Sequence, residues 1–322
     1  MKKLSRLFQG LLLAASAFAS IGAQADAYPS KPIRLIVPYA VGQGTDIAAR
    51  FLADELGKEL KQSVYIENRP GANGNIGAQL AAHATADGYT LMIGTNATNA
   101  ANGFIYDNPG YTPDDFEAIG MVGILPLVYV ANKESPVNDI QDLIRAARAK
   151  PDSLNTAVST TTCRTAHELF KSLGPAPMFP VDFKGSGQAL TALLGGQVGF
   201  MVDTITSLRG AINSHQVKVL GVTSASQSKL LPGVKSLAEQ GVKGYELVGW
   251  TVLYAPKGIP PDARKTLSAA MDRTLERSDV QNKLLEFGIE PQKKTPQELK
   301  AFTDSEKEKW GRLIAAAGLK AN

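Results

Sequence analysis

The segment from Ile33 to Asp46 reads IRLIVPYAVGQGTD and contains a strand, a glycine-containing turn and the start of a helix. Ile33 to Val37 has the short, apolar and β-branched character of a buried strand, and Pro38 ends it. From Ile47 to Leu60 apolar residues recur at helical spacing, so we predict a helix after the turn. A strand followed by a turn and a helix is the first half of a βαβ unit and indicates an α/β fold.

The alternation of strands and helices continues through most of the chain. Strands at 64–66 and 90–93, with a helix at 75–84 between them, complete a βαβαβ unit. A second series begins with a strand at 127–130. Its further members are the predicted helices 140–149, 166–173 and 189–194 and the predicted strands 154–158, 200–202 and 217–222. An extended stretch at 247–254 and three periodic helices follow, at 261–277, 278–287 and 296–317.

Two series of this kind, with no Gly/Ser-rich or Pro-rich linker between them, predict an α/β fold of two lobes. The last three helices have no third sheet to cover, so we expect them to return to the first lobe. We therefore assign 26–126 plus 252–322 to lobe 1 and 127–251 to lobe 2. The chain would cross between the lobes near 125–128 and near 249–252, which is typical of a hinged two-lobe binding protein.

The first 25 residues have the features of a secretory signal peptide. Lys2, Lys3 and Arg6 precede an apolar run from Leu7 to Ile21, which is too short to span a bilayer stably. Ala23-Gln24-Ala25 then matches the small-x-small cleavage pattern, so we expect cleavage after Ala25 and export to the periplasm. The alternative is a membrane anchor, but no cysteine stands at the cleavage site to carry a lipid.

Composition excludes several classes of function. The chain has 34 basic and 30 acidic residues, and three of the basic ones lie in the leader, so the exported protein is nearly neutral. No run of Lys and Arg with interleaved aromatic residues is present, so we expect no nucleic acid partner. The single cysteine, Cys163, and the three histidines do not form a cluster with metal-ligand spacing, so we expect no metal and no cofactor.

Two turns are candidates for ligand binding, because ligands of open α/β sheets bind beyond the carboxyl ends of the strands. In the first turn, Gly42 and Gly44 let main-chain amides approach an oxyanion beside a helix N-terminus. The alternative is that Asp46 simply caps the helix. The second turn, 94–102, is rich in short uncharged donors and acceptors that suit a polar ligand, although Asn and Thr also favour ordinary capped loops.

Several motifs in this chain closely resemble those of the Bug family, the extracytoplasmic receptors of tripartite tricarboxylate transporters. The similarity covers essentially the whole chain after the leader, in the same order. The motifs that carry it are Pro38–Asp46, Glu67–Gly77 (ENRPGANGNIG), Ala86–Leu91 (ADGYTL), Leu193–Val198 (LLGGQV), Val222–Ser224 and Pro256–Pro260.

The resemblance implies a type II periplasmic binding fold whose two lobes close on a small organic carboxylate, with the membrane subunits of a transporter as partners. It implies a receptor and no enzyme, so we assign no catalytic residue. Near-neutral surface charge and a one-to-one delivery role favour a monomer. The positions that match the family's ligand-binding loops in lobe 1 are Tyr39, Val41, Gly42, Gln43, Gly44, Thr45, Asp46, Thr95, Thr98 and Asn99. Those in lobe 2 are Ser159, Thr160, Thr162, Arg164, Thr165, Phe183, Lys184, Gly185 and Asp203.

The chain departs from the family pattern at two of these loops. Gln43 stands where relatives have the second glycine of a pair, and Arg164 stands where they have a hydroxyl residue. A guanidinium lining the cleft would bind a carboxylate bidentately, so we predict a dicarboxylate ligand, with an aromatic one included, whose second acidic group meets Arg164. The alternative is that Arg164 faces solvent or pairs with Glu168.

Other functions use the same residues differently. An exported hydrolase or isomerase would employ Asp203, His167 or Cys163, although a lone cysteine near a helix start is more often an inert small residue. A ligand-sensing subunit for a two-component system would use the same closure for signalling. Trp250 and Phe183 could stack on an aromatic ligand or serve in packing.

Overall fold

The computed structural model describes residues 28 to 319, which form an α/β fold of ten strands and ten α-helices. The predicted signal peptide and its cleavage site lie outside the described residues. The strands are β1 Ile33–Val37, β2 Val64–Asn68, β3 Thr90–Thr95, β4 Phe116–Asn132, β5 Asn155–Val158, β6 Phe179–Asp182, β7 Phe200–Thr204, β8 Val217–Val222, β9 Val248–Pro256 and β10 Glu290–Pro291. The helices are α1 Gly44–Leu60, α2 Asn75–Ala82, α3 Asn102–Ile105, α4 Ile140–Ala149, α5 Thr161–Leu173, α6 Ser186–Leu194, α7 Ile205–Asn213, α8 Pro261–Glu276, α9 Ser278–Phe287 and α10 Pro296–Ala317.

The first sheet has the strand order β2-β1-β3-β9-β4. β1 is parallel to β2 and β3, whereas β9 is antiparallel to β3 and β4. All of β1 except the partly exposed Arg34 is buried, because neighbouring strands and helices cover it on both faces. The predicted bounds of β1 are confirmed. The turn that follows β1 lies at the carboxyl end of this strand.

β4 is the longest strand and changes partners along its length. From Phe116 to Pro126 it pairs with β9, and from Leu127 to Asn132 it pairs with β7 and β8. The change of pairing partners falls at Pro126, inside the predicted crossing near 125–128. The lobe boundaries themselves stay a prediction. The N-terminal part of β4 was not predicted as a strand, because its register shifts near Gly120 and Gly123 break the alternation that marks strands.

The second sheet continues the order as β4-β7-β5-β6, with β8 paired to β4. β5 is parallel to β6 and β7. Two elements of this part were not predicted from the sequence. β6 is an edge strand that contains Pro180 and has no fully buried residue, so it lacks a strand signal. α7 begins directly after β7 at its cap Thr204, without an intervening turn.

Two of the three C-terminal helices, α8 and α10, pack against different parts of the fold. α8 packs on α1 and β4, as expected for a return to the first sheet. α10 packs on β4, on the π-helical turn Ala97–Ala101 and on α5, so it contacts both parts of the fold. Glu306 of α10 accepts hydrogen bonds from the indole nitrogens of Trp250, at 2.8 Å, and Trp310, at 3.0 Å. Within residues 28–319, no helix has the length and apolar character that crossing a bilayer requires.

Candidate functional site

Two adjoining cavities lie where the loops of the two sheets face each other. The larger one, here called the outer cleft, has a volume of about 680 Å³ and lies between the segments 38–43 and 70–74 on one side and 159–160 and 183–188 on the other. The smaller one, the inner chamber, has a volume of about 40 Å³. The cavities share Tyr39, Gln43, Thr160 and Ser186, so they form one polar site.

The N-termini of α1, α5, α6 and α7 all contribute residues to the inner chamber. Thr160 and Thr204 cap α5 and α7 with their side chains, but Gln43 and Gly185 provide no side-chain cap to α1 and α6. The first turn of a helix carries amide groups without helical partners and the positive end of the helix dipole. Four such ends around one cavity favour a ligand that carries an anionic group.

The turn after β1 is largely saturated by internal hydrogen bonds. The Gly42 amide donates to Asp46 Oδ2 at 2.9 Å, and the Gly44 amide donates to Ser207 Oγ at 2.9 Å. The Gln43 amide donates to the Ala40 carbonyl at 3.3 Å. These three amides therefore have partners within the molecule. Their binding of an anion stays a prediction, and it would require the anion to replace these internal hydrogen bonds.

Asp46 and Val41, two predicted ligand-binding residues, differ in exposure, since Asp46 is buried and Val41 is exposed. Hydrogen bonds from Arg50, Asn68 and the Gly42 amide outweigh the effect of burial and lower the pKa of Asp46. Its carboxylate contributes to neither cavity and holds the turn in shape. Val41 is 70% exposed at the rim of the outer cleft.

Gln43, Gly44 and Thr45 reach the site from the same turn. Gln43 is buried and lines both cavities, and its Oε1 accepts a hydrogen bond from the Ala40 amide at 3.1 Å. A glycine at this position would leave the space of that side chain open.

Of the residues in the turn after β3, Thr95 and Asn96 line the inner chamber, whereas the predicted Thr98 and Asn99 do not. Tyr39 and Thr95 line the inner chamber and share a hydrogen bond of 2.6 Å between their oxygens. Asn96, which was not among the predicted residues, also lines the chamber, and its Nδ2 donates across the site to Thr162 Oγ1 at 2.6 Å. Thr98 and Asn99 lie in the π-helical turn that follows, and Asn99 faces a separate cavity beside Tyr254.

Asp203 is 2% exposed and carries the only formal charge among the described residues that line the inner chamber. Its Oδ2 accepts a hydrogen bond from Ser159 Oγ at 2.6 Å, and its Oδ1 accepts one from the Thr204 amide at 2.7 Å. Burial raises the pKa of Asp203, and hydrogen bonds from Ser159, Ser186 and the Thr204 amide oppose the rise. Within the described part of the chain, the chamber wall thus offers this carboxyl group no cationic partner.

Arg164 faces a neighbouring cavity of about 420 Å³ rather than the inner chamber. Its Nη1 donates to Asp182 Oδ2 at 2.8 Å, and its Nε lies 3.3 Å from Glu168 Oε1. Two carboxylates thus balance the guanidinium, which corresponds to the alternative in which Arg164 pairs with Glu168. Thr165 is buried and donates to the Thr161 carbonyl at 2.9 Å, so it contributes to the helix rather than to either cavity.

Of the other predicted residues of the second sheet, Thr162 lines the inner chamber. Phe183, Lys184 and Gly185 line the outer cleft together with Ser159. The predicted ligand-binding set omitted several residues that line the inner chamber, although Asn96 lies in the candidate turn 94–102 and Trp250 was considered for stacking on a ligand. The omitted residues are Asn96, Leu125, Ser186, Thr204, Ser207, Gly249, Trp250 and Thr251.

Cys163 and His167 do not form a catalytic pair. Burial raises the pKa of Cys163 to about 12, so its thiol is protonated at neutral pH. Burial lowers the pKa of His167 to about 3, so its imidazole is neutral at neutral pH. Within residues 28–319, no group of three or more His, Cys, Asp or Glu residues is placed to hold a metal ion.

Solved structures with this fold define the class of protein. R. palustris Rpa4515 with adipate is 32% identical with a TM-score of 0.88, and the match covers 91% of this chain and 99% of that one. MatC (Rpa3494) from Rhodopseudomonas palustris with bound malate is 30% identical with a TM-score of 0.82, over 89% and 100% of the two chains. The fold is that of the periplasmic solute-binding proteins.

Sequence comparison identifies the family. Residues 48–319 match the model of the tripartite tricarboxylate transporter family receptors, and the chain belongs to this family. Protein BugT of Bordetella pertussis is 31% identical over 316 residues, which cover 97% of this chain and 96% of BugT. The resemblance to the Bug family is therefore confirmed, as is the prediction of a two-lobe periplasmic binding fold.

Proposed function

We propose that this protein is a periplasmic receptor that captures a small organic acid between two lobes and delivers it unchanged to the membrane subunits of a tripartite tricarboxylate transporter. The observation that carries the proposal is the convergence of four helix N-termini on one polar site between the two sheets. Such helix ends bind anions through main-chain amides and the helix dipole, without changing the anion chemically. The adipate and malate of the two structural neighbours support a carboxylate as the ligand.

Closure of the site would couple binding to delivery. We assign residues 26–126 plus 252–322 and 127–251 to the two lobes, with β4 and β9 as the hinge. Three hydrogen bonds cross between their walls, from Asn96 to Thr162 at 2.6 Å, from Gly44 to Ser207 at 2.9 Å and from the Trp250 amide to Asn96 at 3.3 Å. A ligand that touches both walls favours the closed form by the contacts that the open form lacks, and the transporter would recognise that form.

A receptor requires neither a nucleophile nor a base, and the side chains of the site agree with this. Among residues 28–319, no second carboxyl or imidazole lines the inner chamber to act as the acid or base partner of Asp203. The raised pKa of Cys163 and the lowered pKa of His167 remove the other candidates for chemistry at neutral pH.

The test begins with the chain from Asp26, the start expected after cleavage of the signal peptide. Its thermal midpoint should rise with the concentration of at least one acid in a panel of mono-, di- and tricarboxylates and acidic amino acids. NMR should recover the acid unchanged after prolonged incubation. Turnover of the acid, or no saturable binding of any acid by calorimetry, would refute the receptor.

Delivery and export need their own measurements. Mass spectrometry of the protein from the periplasm should give an N-terminus at Asp26. Deletion of the gene should abolish uptake of the acid that binds in vitro, and a leaderless copy should not restore it. Uptake that persists without the receptor would contradict the transport role while leaving the binding result intact.

A further inference from the structure

We propose that the first lobe carries a second small-molecule site, here called the side pocket, outside the cleft between the two sheets. It takes a small carboxylic acid that has an apolar body and an uncharged oxygen acceptor at the opposite end. Asn99 and Tyr254 bind the oxygen acceptor, and Lys257 and Lys307 attract the carboxylate. The inference does not depend on the receptor function, because no described residue lines both the side pocket and either cavity of the cleft.

The side pocket has a volume of about 460 Å³, within the size range of small-molecule sites. Its wall is formed by residues of the segments 113–118, at the start of β4, 254–264, from the end of β9 into α8, and 296–307, on α10. Asn99 adds the π-helical turn that follows β3. All of these residues belong to the part of the chain that we assign to lobe 1, so closure of the lobes would neither form nor remove the pocket.

Two buried donors in the side pocket lack an acceptor. Asn99 and Tyr254 are each 4% exposed, and neither Asn99 Nδ2 nor Tyr254 Oη has a hydrogen-bond partner among the described residues. Thr98 Oγ1 donates to Asn99 Oδ1 at 2.7 Å, so the amide nitrogen is the group that is left over. A Cβ on Gly94 would clash with both side chains, which therefore adjoin over this glycine. Because buried polar groups are almost always hydrogen-bonded, one ligand oxygen that accepts from both would complete them.

The floor of the side pocket favours an uncharged oxygen. Phe116 is buried beside Tyr254, with their ring centroids 6.0 Å apart. Burial raises the pKa of Tyr254, which keeps its hydroxyl neutral. A charge buried without an oppositely charged partner is costly, so a carbonyl or ether oxygen is favoured over a carboxylate at this depth. The Phe116 ring offers an apolar surface to the body of the ligand.

The cations of the side pocket are exposed, so they lie towards its mouth. Four basic and three acidic side chains line the pocket, which gives it a net positive charge. Lys257 and Lys307 form no ion pair with any described residue. The other two cations lie 2.7–3.3 Å from carboxylates, Lys300 from Asp304 and Arg264 from Glu117. The ligand carboxylate is therefore favoured at the mouth, while its acceptor reaches the floor.

The experiment measures the affinities of three para-substituted probes by calorimetry, with the chain from Asp26. Para-acetylbenzoate has both the carboxylate and the acceptor, para-isopropylbenzoate lacks the acceptor, and para-acetylbenzamide lacks the charge. We expect para-acetylbenzoate to bind the wild type about tenfold more tightly than para-isopropylbenzoate, because only the former gives the buried donors an acceptor. Tyr254→Phe should remove most of this preference. Lys307→Gln should weaken para-acetylbenzoate about threefold and leave para-acetylbenzamide unchanged.

Matched control variants separate the side pocket from general effects. Tyr245→Phe removes a buried hydroxyl that donates to the Ala166 carbonyl at 2.9 Å, so it should lower the thermal midpoint but leave the preference unchanged. Tyr254→Phe removes a hydroxyl that has no partner among the described residues, so it should keep or raise the midpoint. Lys243→Gln removes an exposed charge from the other lobe and should change no affinity.

Three results would overturn the inference. They are no saturable binding of para-acetylbenzoate, equal affinities for para-acetylbenzoate and para-isopropylbenzoate, and a preference that Tyr254→Phe leaves intact. The last result would mean that the probe binds in the cleft or that ordered water already satisfies the two donors. The receptor function stands in all three cases, and failure of the acid panel to bind in the cleft would leave the side pocket unaffected.

Discussion

His167 is a buried, neutral imidazole that should make the stability of the protein depend on pH. Its pKa falls from 6.5 to about 3 because of burial, so the unfolded chain binds a proton that the folded chain does not accept. The free energy of unfolding therefore falls as the pH decreases from about 6.5 towards 3, by roughly 2 kcal/mol between pH 6.5 and 5. His167→Leu should flatten this part of the profile in chemical denaturation.

The matched control for His167 is His83, which is exposed. His83→Gln should leave the wild-type profile unchanged between pH 7 and 4. A steep acid-induced loss that persists in His167→Leu would show that other groups, not this imidazole, control stability in that range.

Arg164 is expected to contribute to stability more than to ligand discrimination, because Asp182 and Glu168 already bind its guanidinium. Arg164→Met should lower the free energy of unfolding by about 1 kcal/mol or less, the range of partly exposed ion pairs. It should change the affinities of a dicarboxylate and of its monocarboxylate analogue by the same small factor, measured by calorimetry. A loss confined to the dicarboxylate would instead support direct recognition of a second acidic group.

The start of α1 depends on the absence of a side chain at Gly44. A Cβ there would lie 2.6 Å from Thr204 Oγ1, 3.3 Å from Leu125 and 3.3 Å from Thr206. Alanine itself is favourable in a helix, so Gly44→Ala should fold normally but hold the two walls apart. We expect at least a tenfold loss of affinity for the bound acid, measured by calorimetry, with an unchanged or higher thermal midpoint without ligand.

Gly210, inside α7, is the control for Gly44, because a Cβ there meets nothing within 4 Å. Gly210→Ala should raise the thermal midpoint slightly and leave the affinity unchanged. Equal affinities of Gly44→Ala and the wild type would show that the close approach of α1 to Thr204 is not needed for binding.

α10 contacts β9 through the Glu306 carboxylate and through the ring of Phe302, which packs edge-to-face on Trp250. Glu306 accepts a hydrogen bond from Trp250, in the wall of the inner chamber, and another from Trp310 on its own helix. Glu306→Ala leaves two buried indole N–H groups without an acceptor, which should cost about 2–5 kcal/mol of unfolding free energy. Since these are the only 2 tryptophans of the chain, their emission should also shift to longer wavelength.

Glu308→Ala is the control for Glu306 because Glu308 lies on the same helix with a largely exposed side chain. It should change the free energy of unfolding by less than about 0.5 kcal/mol. Comparable losses in the two variants would indicate that the helix, rather than the shared carboxylate, is responsible.

The whole molecule should respond to its ligand by closing. Hydrogen bonds from Asn96 to Thr162 and from Gly44 to Ser207 join the two walls in this structure, and a bound acid would add further contacts to both. We expect small-angle scattering to show a smaller radius of gyration at saturating acid than without it. Gly44→Ala should show less compaction at the same occupancy. Identical scattering curves with and without acid would argue against a closed form that the transporter recognises.

The sequence alone determined the fold class, the order of most elements and the family. Periodicity and turn composition are properties of residues that are close in the chain, so the bounds of β1, α4, β8, α9 and α10 followed from them directly. The elements that local patterns missed, among them β6 and the N-terminal part of β4, are those whose conformation depends on neighbours in space.

Only the tertiary structure decided the make-up of the site. Asn96 and Thr162 are 66 residues apart in the chain, and Gly44 and Ser207 are 163 apart, so no local pattern could join them. Likewise, the partners of Arg164 and the isolation of Asp203 are set by side chains from other elements. The physical reason is that a binding site depends on contacts between distant segments, whereas secondary structure depends mainly on adjacent ones.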